Sequence, residues 1–353
     1  MFTNLSVKMT KFKYFYPLLA FILFSIPYGS VNAWTYEKIN GVRVIQDQVF
    51  DGEYVWIDGP EWDGAIIRNN IFKNQTEQAL RVKNAHNVII ENNEFTGMQS
   101  FAIKLASNQT RGTDNITIKN NFFHDISYTA LLTGEQNTNV QIINNTFENV
   151  TLQSTGDKQH AIYLKGPDFL VEGNVITNVL DAHAISIRTS GVVRGNVLKG
   201  ANEYGIKYFS NGIKGSGQLI IENNISFNNR SGGIGVDYTS TGEELDKVII
   251  RFNTIVNNNL GIWLENEFIG LQVELYGNII VESNQNYFNF EMIPSKNIAN
   301  LTSPLDIGFV NFNGNDFRLK DTSDAINFVT GIPALPPYDF SGNSMGGEPF
   351  DAG

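Results

Sequence analysis

A short alternating run of apolar residues that ends on asparagine recurs nine times along the chain: IIRNNIF, IIENNEF, TIKNNFF, QIINNTF, LVEGNVI, VVRGNVL, IIENNIS, IIRFNTI and ELYGNII. The shared residue is Asn70, Asn93, Asn121, Asn145, Asn174, Asn196, Asn224, Asn253 and Asn278, at intervals of 22 to 29 residues. Alternation of this kind predicts short strands, and no helical period lies nearby. A repeat in this range, with loops absorbing the variation in length, predicts an all-β chain folded as a parallel β-helix (a solenoid) of about nine coils. Its coils stack at the ~4.8 Å strand spacing, and the bias of parallel connections makes it right-handed. A leucine-rich horseshoe would need Leu-rich motifs and helical return segments, and neither is present. Asn suits the corner because it tolerates left-handed backbone geometry and its amide can bond to the Asn above and below.

A second column precedes each following Asn: ALRVK, AIKLA, ALLTG, AIYLK, AISIR, GIKYF, GIGVD and GIWLE. Strict alternation sends Leu80, Ile103, Leu131, Ile162, Ile185, Ile206, Ile234 and Ile262 inward. The small residues before them (Ala79, Ala102, Ala130, Ala161, Ala184, Gly205, Gly233 and Gly261) then face outward. Ala and Gly are poor strand formers, so an exposed row of them is expected to be the floor of a groove.

The two ends depart from the repeat. Residues 1–33 carry Lys8, Lys11 and Lys13, the apolar run YFYPLLAFILFSIP and the small-residue site Val31-Asn32-Ala33. That is the layout of a secretory signal peptide, and the run is shorter than the ~20 apolar residues of a membrane span. The mature chain is expected to begin near Trp34, to be secreted or periplasmic, and to have no membrane span. Residues 34–282 form the β-helix. The turn-rich stretch 283–353 is expected to cap it, since an open last coil exposes unpaired backbone. It also resembles the C-terminal stretch common in secreted bacterial β-helix proteins, on its Asp316-Phe317-Arg318-Leu319 segment and its Asp351-Ala352-Gly353 ending.

Composition narrows the chemistry. The formal charge of −11 becomes −14 when the three leader lysines are removed, because the leader holds no acid. An acidic chain argues against nucleic acid as a partner. With no cysteine, disulfides, thiolate metal sites and Cys nucleophiles are excluded. A monomer is expected.

Against that acidic background the outward positions of the second column are basic. One register reads Arg81, Lys104, Leu132, Tyr163, Ser186, Lys207, Gly235 and Trp263. The next reads Lys83, Ala106, Gly134, Lys165, Arg188, Phe209, Asp237 and Glu265. Lys165 and Arg188 share a register on adjacent coils, and Lys207 follows one coil later. Like charges side by side repel and depress each other's proton affinity, so a strip of them points to an anion-binding groove in which a lysine could act as a base. A solvated strip neutralised by Asp157, Asp181 and Glu203 is the plainer alternative.

The stretches HAIYLKGPDFLVEGNVITNV and AHAISIRTSGVVRGNVLKG resemble the core of the alginate lyase and chondroitin B lyase family. The resemblance is strong over about forty residues and elsewhere is that of a β-helix. It implies Lys165 as the base and Arg188 as the acid or charge stabiliser. In place of the family's His-Gly after the arginine stand Thr189, Ser190 and Gly191. Gln159 and His160 stand where its Asn and Glu calcium ligands are expected. A uronic acid carries an acidic C–H beside its carboxylate, and a nearby cation stabilises the charge formed when that proton leaves. Arg188 or Lys207 could neutralise the carboxylate, Lys165 abstract the proton, and Tyr163 or His160 protonate the departing oxygen. Lys104, His183, Phe209 and Trp263 complete the expected binding surface for an acidic polysaccharide.

Three alternatives stay open. His160 and His183, 23 residues apart, read equally as a stacked structural pair. Asp237 and Glu265, on adjacent coils beside Trp263, could serve as the carboxylate pair of a retaining glycosidase or hold Ca²⁺. A non-catalytic carbohydrate-binding surface protein would use the same groove.

Overall fold

The computed structural model describes residues 34–106, 111–153, 156–210, 217–238, 245–265, 271–281, 288–290, 296–298, 300–302, 307–331, 336, 338–340, 343 and 351–353. Residues 1–33, with the expected export signal, lie outside the described residues.

Each asparagine motif makes two short strands with a two-residue corner between them. Ile66–Arg68 and Ile71–Lys73 flank Asn69 and Asn70, and the same geometry recurs through Gln272–Tyr276 and Ile279–Val281. The second column supplies a third strand, such as Leu80–Lys83 or Ile162–Leu164. Every third strand pairs in parallel with its equivalent one coil on, which gives three sheets of twelve, ten and ten strands. We call them the first, second and third sheets in the order a coil visits them. The one antiparallel addition among them, Glu37–Ile39 against Val42–Gln46, opens the first sheet. These three sheets make the fold the expected parallel β-helix.

All nine ladder asparagines are buried. In each, the side-chain amide and the backbone N–H both donate to Oδ1 of the next: Asn145 Nδ2 and N reach Asn174 Oδ1 at 3.0 and 2.8 Å. The ladder continues past the repeat, with Asn278 donating to Asn300 Oδ1 at 2.7 Å. The left-handed residue is not the ladder Asn but the one before it: Asn69, Asn92, Asn120, Asn144, Gly173, Gly195, Asn223, Phe252 and Gly277 all have φ between +50° and +66°. A left-handed turn suits Asn and Gly but strains Phe252. Its ring is buried among Phe227, Ile279 and Val329, which holds it there.

Two positions past the ladder, Phe50, Phe72, Phe95, Phe123 and Phe147 stack face to face with centroids 4.5 to 4.8 Å apart. They run through a single apolar core with the inward residues Leu80, Ile103, Ile162 and Ile185. The small column also lies in that core. Ala79, Ala102, Ala130 and Ala161 are fully buried, and a Cβ on Gly205 would strike Ser226 Oγ at 2.2 Å. The expected groove floor is therefore wrong for this column. The alanines directly precede their strands, where alternation no longer holds, and Gly205, Gly233 and Gly261 are the second residues of theirs; all are small because the corner leaves no room for a larger side chain.

The outer faces differ in charge pattern. On the first sheet register-mates alternate in sign: Lys119 meets Glu91 at 3.1 Å, Arg194 meets Glu172 at 3.1 Å, and Arg251 meets Glu222 at 2.6 Å. On the third sheet the register-mates Arg81 and Lys104 are both cations.

In its described residues the C-terminal segment packs against one flank of the coil stack. Phe309, Phe317, Ala325, Val329 and Ala352 form a second apolar cluster with Phe227, Phe252, Val256, Ile279 and Val281, on the outer face of the second sheet. Gly353 donates its N–H to Gly277 O at 2.8 Å. The last coils carry apolar residues on both faces of that sheet, so something must cover the outer one.

Candidate functional site

On the third sheet, strands of two to seven residues turn alternate side chains outward. The Tyr204–Ser210 strand aims Lys207 and Phe209 out while Ile206 and Tyr208 are buried in the core. Lys165 and Arg188 lie just past their strand ends. Their backbones are fixed by Lys165 N–H to Thr133 Oγ1 at 2.9 Å and Arg188 N–H to Leu164 O at 3.0 Å.

Arg188 is the centre of the arrangement. Its guanidinium lies between two rings, 4.9 Å from the centroids of both Tyr163 and Phe209. Nη1 donates to Ser186 Oγ and to Ile187 O at 3.1 Å each. Its Nε is buried with no hydrogen-bond partner. Among the described residues no carboxylate lies within ion-pair distance of it. Burial pulls its pKa below the ordinary arginine value, and Tyr163 opposes that pull. Lys165 Nζ lies 5.0 Å from the centre of the same Tyr163 ring. Lys104 is also pulled down, first by burial and then by Arg81 and Lys165.

One cleft of about 550 Å³ gathers His160, His183, Arg188, Lys207, Phe209, Asp237 and Trp263, all expected from sequence. Lys165, Tyr163 and Lys104 lie outside its lining, further along the strip. The cleft adds Lys158, Glu203, Tyr204, Ser231, Asn259 and Leu260. Of these, Tyr204 had a readable signal: it precedes Gly205 as His160 and His183 precede their alanines. Leu260 precedes Gly261 in the same way; Lys158, Glu203, Ser231 and Asn259 come from corners, which register does not place.

Lys207 is buried. Its Nζ lies 4.8 Å from the Tyr204 ring centre, 4.7 Å from that of Trp263 and 3.8 Å from Asp237 Oδ2. Asp237 and Glu265 are register-mates, as expected of a carboxylate pair, but the side chain of Glu265 lies outside the described residues. The observed neighbour of Asp237 is a cation.

His160 and His183 stack with centroids 4.9 Å apart and planes 10° from parallel. Nδ1 of His160 accepts the backbone N–H of His183, and Nδ1 of His183 accepts that of Tyr204, both at 3.3 Å. The ring proton must then sit on Nε2, and both rings are neutral. Burial, aided by Arg188 and Lys158, lowers His160 to about 3, and burial takes His183 well below its ordinary value. Glu203 Oε2, 3.3 Å from His183 Nδ1, faces an acceptor and forms no ion pair. His160 is thus no proton donor near neutral pH, which corrects the expectation that it protonates a leaving oxygen.

Among the described residues, the positions where the resembled family has its calcium ligands do not fit that ion. Gln159 Oε1 accepts the Thr129 hydroxyl at 2.8 Å and its neighbour His160 offers nitrogen, whereas Ca²⁺ needs several oxygen ligands. Among the described residues no three acidic or imidazole groups are gathered to hold a metal. Nor is any helix among them long and apolar enough to cross a membrane.

No curated protein matches the sequence. Among solved structures, the chain is similar to pectate lyase Pel9A, at 15% identity and a TM-score of 0.56, covering 89% of this chain and 86% of that one. It is also similar to the periplasmic alginate epimerase AlgG, at 12% identity and a TM-score of 0.47, covering 76% and 79%. Residues 53–213 and 136–297 match the family described as the right handed beta helix region, and the chain belongs to that family.

Proposed function

We propose that this is an exported polysaccharide lyase that cleaves a uronate-containing polysaccharide by β-elimination on the outer face of the third sheet. The observation that carries this reading is Arg188, a largely buried guanidinium clamped between two rings with no carboxylate partner among the described residues. A cation withdrawn from water normally finds an anion in the fold. The first sheet of this molecule supplies one for Arg194 and Arg251. The third sheet leaves Arg188 to meet one from outside, and a planar guanidinium fits a sugar carboxylate. The fold likeness to a pectate lyase supports the same reading, and the leader-like residues 1–33 support export to the periplasm or beyond.

In the reaction Arg188 holds the uronate carboxylate and stabilises the charge that builds on it. Lys165 takes the proton from the carbon beside that carboxylate. The electron pair forms a C=C bond as the glycosidic C–O bond breaks, and Tyr163 protonates the departing oxygen. Lys207, Trp263 and Tyr204 seat the neighbouring sugar, a cation beside two aromatic faces.

Screening alginate, pectate and glycosaminoglycans for product absorbing in the ultraviolet tests this reading. Lys165→Ala should abolish that product with the fold intact, because the side chain is half-exposed. Arg188→Lys should lose activity about a hundredfold, since an ammonium cannot reproduce the planar contact. Full cleavage by Lys165→Ala would remove Lys165 as the base. Reducing ends released without absorbance would replace elimination by hydrolysis.

A further inference from the structure

A second cleft, of about 340 Å³, opens on the third sheet near its first coil and is lined by Tyr54, Trp56, Glu77, Gln78 and Arg81. Trp56 points outward from the Val55–Asp58 strand, between inward Val55 and Ile57, and is 43% exposed. Tyr54 beside it is 40% exposed. A fold with no use for an indole and a phenol on an open strand would bury them or replace them.

Arg81 is the register-mate of Trp56 on the next coil, with its guanidinium carbon 4.6 Å from the indole centre. Its Nε is buried without a partner, and among the described residues no carboxylate lies within ion-pair distance, although Glu77 lines the same cleft. Arg81 therefore repeats the situation of Arg188: an aromatic face below and unspent donors. The next cation along the register is Lys104, which feels both Arg81 and Lys165. Arg81, Lys104, Lys165 and Arg188 place cations along the face between the two clefts, with one uncharged coil at Leu132.

We propose that Trp56, Tyr54 and Arg81 form a distal subsite for one uronate residue of the same extended chain that occupies the Arg188 cleft. Trp56 stacks on the sugar face and Arg81 takes its carboxylate. Trp56 and Ser186 are five coils apart through Arg81, Lys104, Leu132 and Tyr163. At ~4.8 Å per coil the subsites are separated by about 24 Å. A ligand must be several sugars long to reach both, so the subsite confers a preference for long chains. The inference rests on the proposed acidic-polysaccharide groove.

Affinity electrophoresis of the full chain tests it without requiring cleavage, using gels that contain polygalacturonate, alginate or, as a neutral control, dextran. Retardation by an acidic gel and not by dextran is expected. Trp56→Ala should weaken that retardation about tenfold, as loss of one aromatic contact does. Trp56→Phe should restore most of it. Acidic di- and trisaccharides, too short to span both sites, should quench the intrinsic fluorescence of Trp56→Ala and of the parent at the same concentrations. An unchanged Tm will show that the half-exposed indole is not needed for folding. Equal retardation of Trp56→Ala and parent would overturn the subsite and leave the Arg188 groove standing. Retardation of the parent by none of the acidic gels would overturn both.

Discussion

The two stacked histidines show how one residue's neighbours decide what it can do. Nδ1 of each is committed to a backbone N–H, so protonation would place two N–H groups face to face in a buried column. The folded pKa lies below the unfolded value of 6.5, so the unfolded chain binds more protons between them. Stability from His160 is then complete above pH 6.5 and declines as pH falls toward about 3, by up to ~1.4 kcal/mol per pH unit, and His183 acts in the same direction. His124 works in the opposite sense. Asp125 and Glu94 raise it against the pull of burial, so its contribution is present at low pH and is lost as pH rises through the raised value. Thermal unfolding of His160→Asn, whose amide oxygen can still accept the His183 N–H, should show a shallower fall in Tm from pH 6.5 to 4 than the parent. An identical slope would mean that His160 takes up its proton freely in the folded state.

The corner is the element on which the coil depends. Replacing Asn174 by Ala removes the acceptor for Asn145 N and Nδ2 and the donor to Asn196 Oδ1, all buried. Asn174→Ala should cost about 3 kcal/mol in denaturant unfolding, because polar groups are left buried without partners. A cost below 1 kcal/mol would mean that water replaces the rung. The ladder was legible from sequence because one residue type recurred at one corner. The left-handed residue was misplaced by one position because Asn69–Asn70, Asn92–Asn93, Asn120–Asn121 and Asn144–Asn145 make the two corner positions look alike. Gly173, Gly195 and Gly277 separate them, and their positions carried the answer. The outward register of the third sheet was also legible, since alternation holds within a strand. It failed at the strand entry, one residue before the strand at Ala79 and the other alanines and at the second strand residue at Gly205, Gly233 and Gly261. Trp56 and Tyr54 were overlooked because their coil precedes the first copy of the repeat.

Across the whole molecule, the two flanks of the solenoid are finished differently. The last coils of the second sheet are covered by the C-terminal segment, where Phe317 packs against Phe227 at 5.1 Å and Phe309 at 5.4 Å. Phe317→Ala should destabilise the protein by about 3–5 kcal/mol, a core-sized loss for a residue far outside the repeat. A loss under 1 kcal/mol would mark the segment as an appendage. The third sheet is left open, and here the corners differ in length. The corner between first and second sheets is two residues in each coil, from Asp47–Gln48 to Gly277–Asn278, whereas those flanking the third sheet range from 202–203 to 151–161. Mutation and insertion are thus channelled. The ladder tolerates neither at its own corner, while the banks of the groove can be lengthened, shortened or recharged without disturbing a single rung. Descendants of one such scaffold can diverge in the sugar they grip while inheriting the same spine, so kinship in this architecture is better sought at the asparagine corner and specialisation at the other two.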